Sequence, residues 1–379
     1  MEVNDGNNKV EISRADEATN PESAGTMERI YAPPLWARMP NTAFGIGLGL
    51  GGQTIMWKTL SMASHFPIIG PTTNKVFWGL ALAAMGIILI LYVYKAIKYP
   101  FVVKAEWKNP VRSHFFSAPH VFVLMVSIGV PNNLVQTKNV LRVIFGVTLG
   151  LQTILTNPLY IRWLFDANAS IKSARPQFLF SCVGWFFLAV LGLQTNISDE
   201  WGINIPAFCF GSGLFLYLII ITSNFLSLSR AAGVKKSPAM FLFIAPPSVA
   251  VIAAEGFYGG FLTASQFLLG WCLVLLVLLI RIVPSVEKSS SSFGTYWAYV
   301  FPLAGIATSS VRYAESQPSI ASCGLAYILV AVSLITLLAV FVREVYNFWE
   351  MSNHEKHPYW PDPVVTAHLD KFEQRVHVS

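Results

Sequence analysis

Polar punctuation divides the chain into ten apolar stretches, at about 40–60, 74–95, 114–132, 140–161, 177–195, 204–226, 238–258, 264–283, 295–314 and 320–346. Each is close to the roughly 20 residues with which a helix crosses the hydrocarbon of a bilayer. The flanks are different. Residues 1–38 are polar and acidic without a charged-then-apolar leader pattern, and are expected to form a disordered cytoplasmic tail. Residues 350–379 turn polar again and are expected to form a second cytoplasmic tail, which leaves 39–349 as the membrane domain.

Composition says why these stretches cannot all be core. A soluble domain carries about a quarter charged residues, because water must solvate its surface. Here charged residues make up 12% and apolar residues 54% of 379. The exterior needs another solvent, and lipid is that solvent. The expected fold is all-α and integral to the membrane, with ten transmembrane helices.

Charge placement orients them. Loops after even-numbered stretches carry Lys95, Lys98, Lys104, Lys108 and Arg112, then Arg162, Lys172 and Arg175, then Arg230, Lys235 and Lys236, then Arg281 and Lys288. Loops after odd-numbered stretches carry Lys58, Lys75, Lys138, Arg142 and Arg312, with the acidic Asp199 and Glu200. The positive-inside bias puts both termini in the cytoplasm, as an even number of crossings requires. The net charge of +6 is thereby a topology signal, and no nucleic-acid partner is expected. The sequon at Asn196 then falls outside and the one at Asn168 inside.

Odd stretches differ from even ones. The third contains Pro119, the seventh Pro246 and Pro247, and the ninth Pro302, each beside aromatic and small residues; the first has Gly45, Gly47, Gly49, Gly51 and Gly52 instead. The fifth, with only Gly184 and Gly192, fits this pattern poorly. A proline inside a helix frees a carbonyl and bends the axis, and in hydrocarbon the freed group must face protein or a water-filled cavity. The pattern therefore predicts five bent odd helices, kinked at Pro119, Pro247 and Pro302, ringed by five smoother even helices that face lipid.

Enzyme chemistry is not indicated. Cys182, Cys209, Cys272 and Cys323 stand singly in apolar segments, His114 and His120 lack metal-ligand spacing, and no HExxH, Walker loop or triad occurs. Gly47-x-Gly49-x-x-Gly52 matches a dinucleotide fingerprint formally, but no strand precedes it, so it reads as close helix packing. No activity, metal or cofactor is expected. Two acidic residues remain open. Glu255 is either a proton-coupling group or an interfacial carboxylate, and Arg312 with Glu315 is either a structural ion pair or a pair of pore-mouth charges.

Several segments, in order, carry a resemblance. They are Phe44-Gly45-Ile46-Gly47-Leu48-Gly49-Leu50, Asn109-Pro110-Val111-Arg112 running on to Phe115-Phe116-Ser117-Ala118-Pro119, Phe243-Ile244-Ala245-Pro246-Pro247-Ser248, Tyr296-Trp297-Ala298-Tyr299-Val300-Phe301-Pro302, and Arg312-Tyr313-Ala314-Glu315. From about Met39 to Trp349 the chain resembles the slow-type anion channels of plants, within the wider tellurite-resistance and dicarboxylate transporter family that includes fungal malate and sulfite carriers. The resemblance implies five helical hairpins around a central pore in each protomer, assembly as a homotrimer in the plasma membrane, and a gate at Phe301. It implies a small-anion channel for chloride, nitrate and malate, with a proton-coupled carrier of dicarboxylates or sulfite as the alternative. Phe44, Gly47, Phe116, Met125 and Phe243 are expected to line the pore. His120, Met125 and Glu255 depart from the family pattern. Ser13, Ser23 and Thr26 are the acceptors available to a regulatory kinase, although the long phosphorylated region of the guard-cell channels is largely missing.

Overall fold

The computed structural model describes residues 39–66, 71–134, 138–165, 174–230, 237–281, 283 and 294–353. Ser13, Ser23, Thr26, the Asn168 sequon, the 1–38 tail and most of the 350–379 tail lie outside these residues. Among the described residues every element is helical. In chain order the α-helices are α1 (Phe44–Met62), α2 (Pro71–Lys98), α3 (Pro100–Lys108), α4 (Ala118–Ile128), α5 (Lys138–Phe165), α6 (Leu179–Thr195), α7 (Ile197–Trp201), α8 (Ile205–Arg230), α9 (Ala245–Tyr258), α10 (Thr263–Ile280), α11 (Trp297–Ser316) and α12 (Ile320–Asn353). Each apolar stretch read from the sequence coincides with one of these helices, to within a few residues. The α3 and α7 segments were read as loop.

Two classes of helix emerge from burial. In α2 and α5, 22% of the most apolar window is buried; in α6 and α9, each taken with the 3-10 turn before it, 83% is. The outer class exposes its apolar side chains, such as Ile90 at 70%, Ile154 at 69% and Val277 at 70%. Water would not tolerate such a surface, and lipid requires it. The chain is a multi-pass membrane protein.

By length and composition, seven described helical segments can cross a membrane. An eighth qualifies if α3 and the Arg112–Ile128 segment, set at 110° to each other, count as one span. The sequence led us to expect ten. The difference falls partly on α1 and α11, which are long enough but rich in Gly, Ser and Thr. Both are buried among other helices, so neither needs an apolar exterior.

The inner helices close on themselves. α1 packs on α4, α4 on α6, α6 on α9, α9 on α11, and α11 back on α1. The outer helices α2, α5, α8, α10 and α12 pack respectively on α1, α4, α6, α9 and α11. Near the seam, Gln53 of α1 donates to Ser333 of α12 at 3.0 Å, tying the first and last helices together.

The prolines act differently from expectation at two of three positions. Pro119 and Pro247 do not kink a continuous α-helix. They sit in the first turns of α4 and α9, where the 3-10 turns Arg112–Ser117 and Pro238–Ile244 give way to α-helix. A missing N–H costs least there, since first-turn donors lack intrahelical partners. Pro302 alone of the three lies inside a helix, α11, where it leaves the carbonyl of Ala298 without its helical donor. Pro158, inside α5, breaks the expected smoothness of the outer helices.

Candidate pore

Glycines set how closely the inner helices approach. On α1, a β-carbon at Gly49 would meet the Trp297 ring, one at Gly51 would stand 3.3 Å from Met125 Sδ, and one at Gly52 would stand 3.3 Å from Phe301 Cδ2. On α11, Gly305 leaves room for the Ser248 side chain of α9, while Ser309 donates to the Ser248 carbonyl at 2.9 Å. Small residues let the backbones meet, as in other membrane helix pairs.

Phe301 is 2% exposed, at the centre of this arrangement. Its ring approaches both Gly52 of α1 and Phe187 of α6, whose ring centroid is 5.9 Å away at an interplanar angle of 35°. α1, α6 and α11 are thus bridged by one aromatic contact across the ring of helices. Met125 of α4 packs against Gly51, the neighbour of Gly52 in sequence.

A cavity of about 490 Å³ opens at the far end of the same helices. Its walls come from the C-terminal ends of all five: Lys58, Ile128, Gln194, Glu255 and Arg312 represent α1, α4, α6, α9 and α11 in turn. The inner helices therefore run parallel and share one mouth. Glu255 Oε2 accepts from Arg312 Nη1 at 2.7 Å, with both side chains partly exposed. Of the two readings left open for Arg312 with Glu315, an ion pair or pore-mouth charges, the ion pair gives way to one between Arg312 and Glu255, and both Arg312 and Glu315 line the cavity. Glu315 accepts from the amides of Ser64 and His65 at 2.9 and 2.8 Å, and it pairs with the His65 ring at 3.1 Å. One turn of α11 separates the two residues, but each faces a different neighbour.

A family model described as SLAC1, voltage-dependent anion channel, matches residues 38–345. The chain belongs to the SLAC1 family of anion channels. Among curated relatives it is similar to S-type anion channel SLAH2 of Arabidopsis thaliana, at 27% identity over 83% of this chain and 61% of that one. The guard cell S-type anion channel SLAC1 of the same plant is 30% identical over 82% of this chain and 56% of its own length. A tellurite resistance protein TehA homolog of Haemophilus influenzae is 25% identical, covering 73% and 81%. The chain thus spans about three-fifths of the length of these two plant channels. The SLAC1 family is one of channels and not of enzymes. Among the described residues no group of three His, Cys, Asp or Glu side chains can hold a metal ion.

Other expected pore residues are not brought to Phe301. Phe44 packs on Tyr92 of α2 at 5.1 Å, Phe116 on Tyr92 and Trp107 at 6.1 and 5.2 Å, and Gly47 faces Met85 of α2. Phe243 stacks on Phe225 of α8 at 5.6 Å. All four look towards the outer layer or α3.

Two features were missed. Phe187 stands in the apolar run Trp185-Phe186-Phe187, where no local signal marks it. Glu106 stands in the cationic run from Lys95 to Arg112, and the structure buries both of these end residues against it. Glu106 is fully buried and accepts from Tyr92 at 2.6 Å, Lys95 at 3.1 Å, Arg112 at 3.4 Å and the Asn41 amide at 3.2 Å. Lys95, itself fully buried, also donates to the Met39 carbonyl at 2.8 Å. This network clamps the start of α1 to the end of α2 and to the bend at 109–111. A lone acid amid basic residues was its one sequence trace.

Proposed function

We propose that this chain conducts small anions across a membrane through the passage enclosed by α1, α4, α6, α9 and α11, and that Phe301 occludes that passage. The observation that carries the reading is the burial of Phe301 in contact with both Gly52 and Phe187, inside a closed ring of parallel helices. Ten crossings in five hairpins follow if α1, α4 and α11 each span with their outer partners. Chloride and nitrate suit a passage without tightly binding cations, and malate is the larger substrate to test. The names of the plant relatives, S-type anion channels, support the same activity.

Positive-inside bias favours cytoplasmic termini, which turns the Lys58–Arg312 mouth outwards. Plasma-membrane location and assembly as a homotrimer are part of the same proposal. Multi-angle light scattering of the purified protein in detergent tests the trimer. A proton-coupled carrier would rest on Glu255, and the pairing of that carboxylate with Arg312 at 2.7 Å favours the channel.

The deciding experiment is voltage clamp in oocytes, comparing wild type with Phe301→Ala in chloride, nitrate and malate baths. The expected result is an anion current that appears or grows several-fold in the variant, with reversal potentials that rank the ions. Silence from variants confirmed at the surface overturns the reading.

A further inference from the structure

The charges around the C-terminal mouth are unevenly matched. Arg312 has Glu255 at 2.7 Å. Glu315 is held by the amides of Ser64 and His65 and by the Ser64 hydroxyl at 2.7 Å. Lys58 has no carboxylate partner among the described residues. Its ammonium donates to the carbonyl of Ile128, the last residue of α4, at 2.8 Å. That bond points the side chain across the cavity towards a neighbouring helix end, and it uses one of three donors.

Helix dipoles make this position consequential. Five helix C-termini converge on the cavity, and each presents partial negative charge. Such a mouth repels anions unless cations offset it. Arg142 donates to the carbonyl of Thr195 at the end of α6 but does not line the cavity; of the two cations that do, Arg312 is neutralised by its partner, so the burden falls on Lys58. The cavity of about 490 Å³ has room for a partly hydrated ion beside the ammonium, with the Gln194 amide on the wall.

We infer that Lys58 is the anion-concentrating residue of this mouth, holding a monovalent inorganic anion transiently on its way to or from Phe301. A single ammonium at an open cavity suits conduction, which needs entry to be favoured and release to stay fast. The inference rests on the channel reading and adds to it a residue that sets throughput.

The test uses the full-length chain carrying Phe301→Ala in oocytes, with chloride as the probe. Adding Lys58→Gln is expected to lower conductance about tenfold at low chloride, with the deficit shrinking as salt rises. Lys58→Arg is expected to keep most of the current. Because losing the Ile128 contact affects packing too, Lys58→Cys channels already at the surface are treated with charged thiosulfonates. A cationic reagent should raise the current and an anionic one lower it, with no effect on the parent. Unchanged concentration dependence in Lys58→Gln, with Lys58→Cys indifferent to both reagents, overturns the inference and leaves the channel reading standing. No anion current from Phe301→Ala at the surface overturns both.

Discussion

Gly52 and Phe301 meet across the α1–α11 interface so closely that a β-carbon at Gly52 would stand 3.3 Å from Phe301 Cδ2 and 3.3 Å from the Ala304 Cβ. That spacing is tighter than ordinary side-chain contact, and it places the smallest residue against the Phe301 ring. The glycine leaves the ring one neighbour without side-chain bulk, while Phe187 lies 5.9 Å from it, centroid to centroid. Rotation of an aromatic side chain needs space of this kind, since packed interiors otherwise hold each ring in one rotamer.

Gly52→Ala should therefore lock the passage and leave the fold intact. The helix itself gains about 1 kcal/mol from replacing a glycine with alanine, against a crowding cost at the Phe301 ring. Current in Gly52→Ala should fall below wild type, while Gly52→Ala combined with Phe301→Ala should conduct like Phe301→Ala alone. Additive effects of the two changes would separate the glycine from the gate. Phe187→Ala is the companion change. It removes the other neighbour of the ring and should raise current, by less than Phe301→Ala does.

Glu106 is predicted to be needed for assembly, not conduction. Its carboxylate carries four donors, two of them cations, in a fully buried setting. Glu106→Gln leaves Lys95 without a counter-charge, and breaking a buried pair by removing one partner costs about 3–5 kcal/mol. The variant should lose most of its monodisperse peak in fluorescence size-exclusion chromatography and melt well below wild type. Glu106→Gln with Lys95→Met should recover part of that loss, because the more deeply buried of the two cations is then removed together with its counter-charge. A single variant as stable as wild type would refute the role of the network.

Much of this architecture is legible in the chain because apolar runs bounded by charge need no partner to be recognised. The inner helices announce themselves through Pro119, Pro246, Pro247, Pro302 and the α1 glycines, all local signals. The fifth stretch fits poorly for a physical reason. Its break, Pro176–Phe178, precedes the apolar run, and the residue that admits a neighbour there is Gly184, which leaves room for the Gln152 side chain of α5. Gln152 links His120 and the Ser181 carbonyl at 2.6 Å each, so the signal is spread over three helices. Long-range partners escape for the same reason. Glu255 and Arg312 are 57 positions apart, and only the ring closure brings them together.

Gly184→Ala follows as a test of that hidden interface. An added methyl would enter the space of the Gln152 side chain and displace it from His120 and Ser181. Buried polar groups left without partners cost about 1–3 kcal/mol each. The variant should lose several degrees of melting temperature in detergent, and Gly184→Ala with Gln152→Ala should regain part of it. Equal melting of wild type and Gly184→Ala would mean that α5 and α6 can separate without cost.

The Glu255–Arg312 pair distinguishes a channel from a coupled carrier. Both side chains are partly exposed, at 22% and 29%, so solvent screens the pair and its removal should change stability by no more than about 1 kcal/mol. Glu255→Gln should accordingly reach the surface normally. In a channel, the mouth then gains one unit of positive charge, and anion current should rise, most at low ionic strength where screening is weakest. In a proton-coupled carrier the same change removes the group that takes up the proton, and uptake should collapse along with its pH dependence. Chloride and malate flux into proteoliposomes, measured with and without a pH gradient, separates the two. Flux that survives Glu255→Gln and ignores the gradient fits a passive pore, whereas flux abolished by the substitution would return Glu255 to the centre of the mechanism.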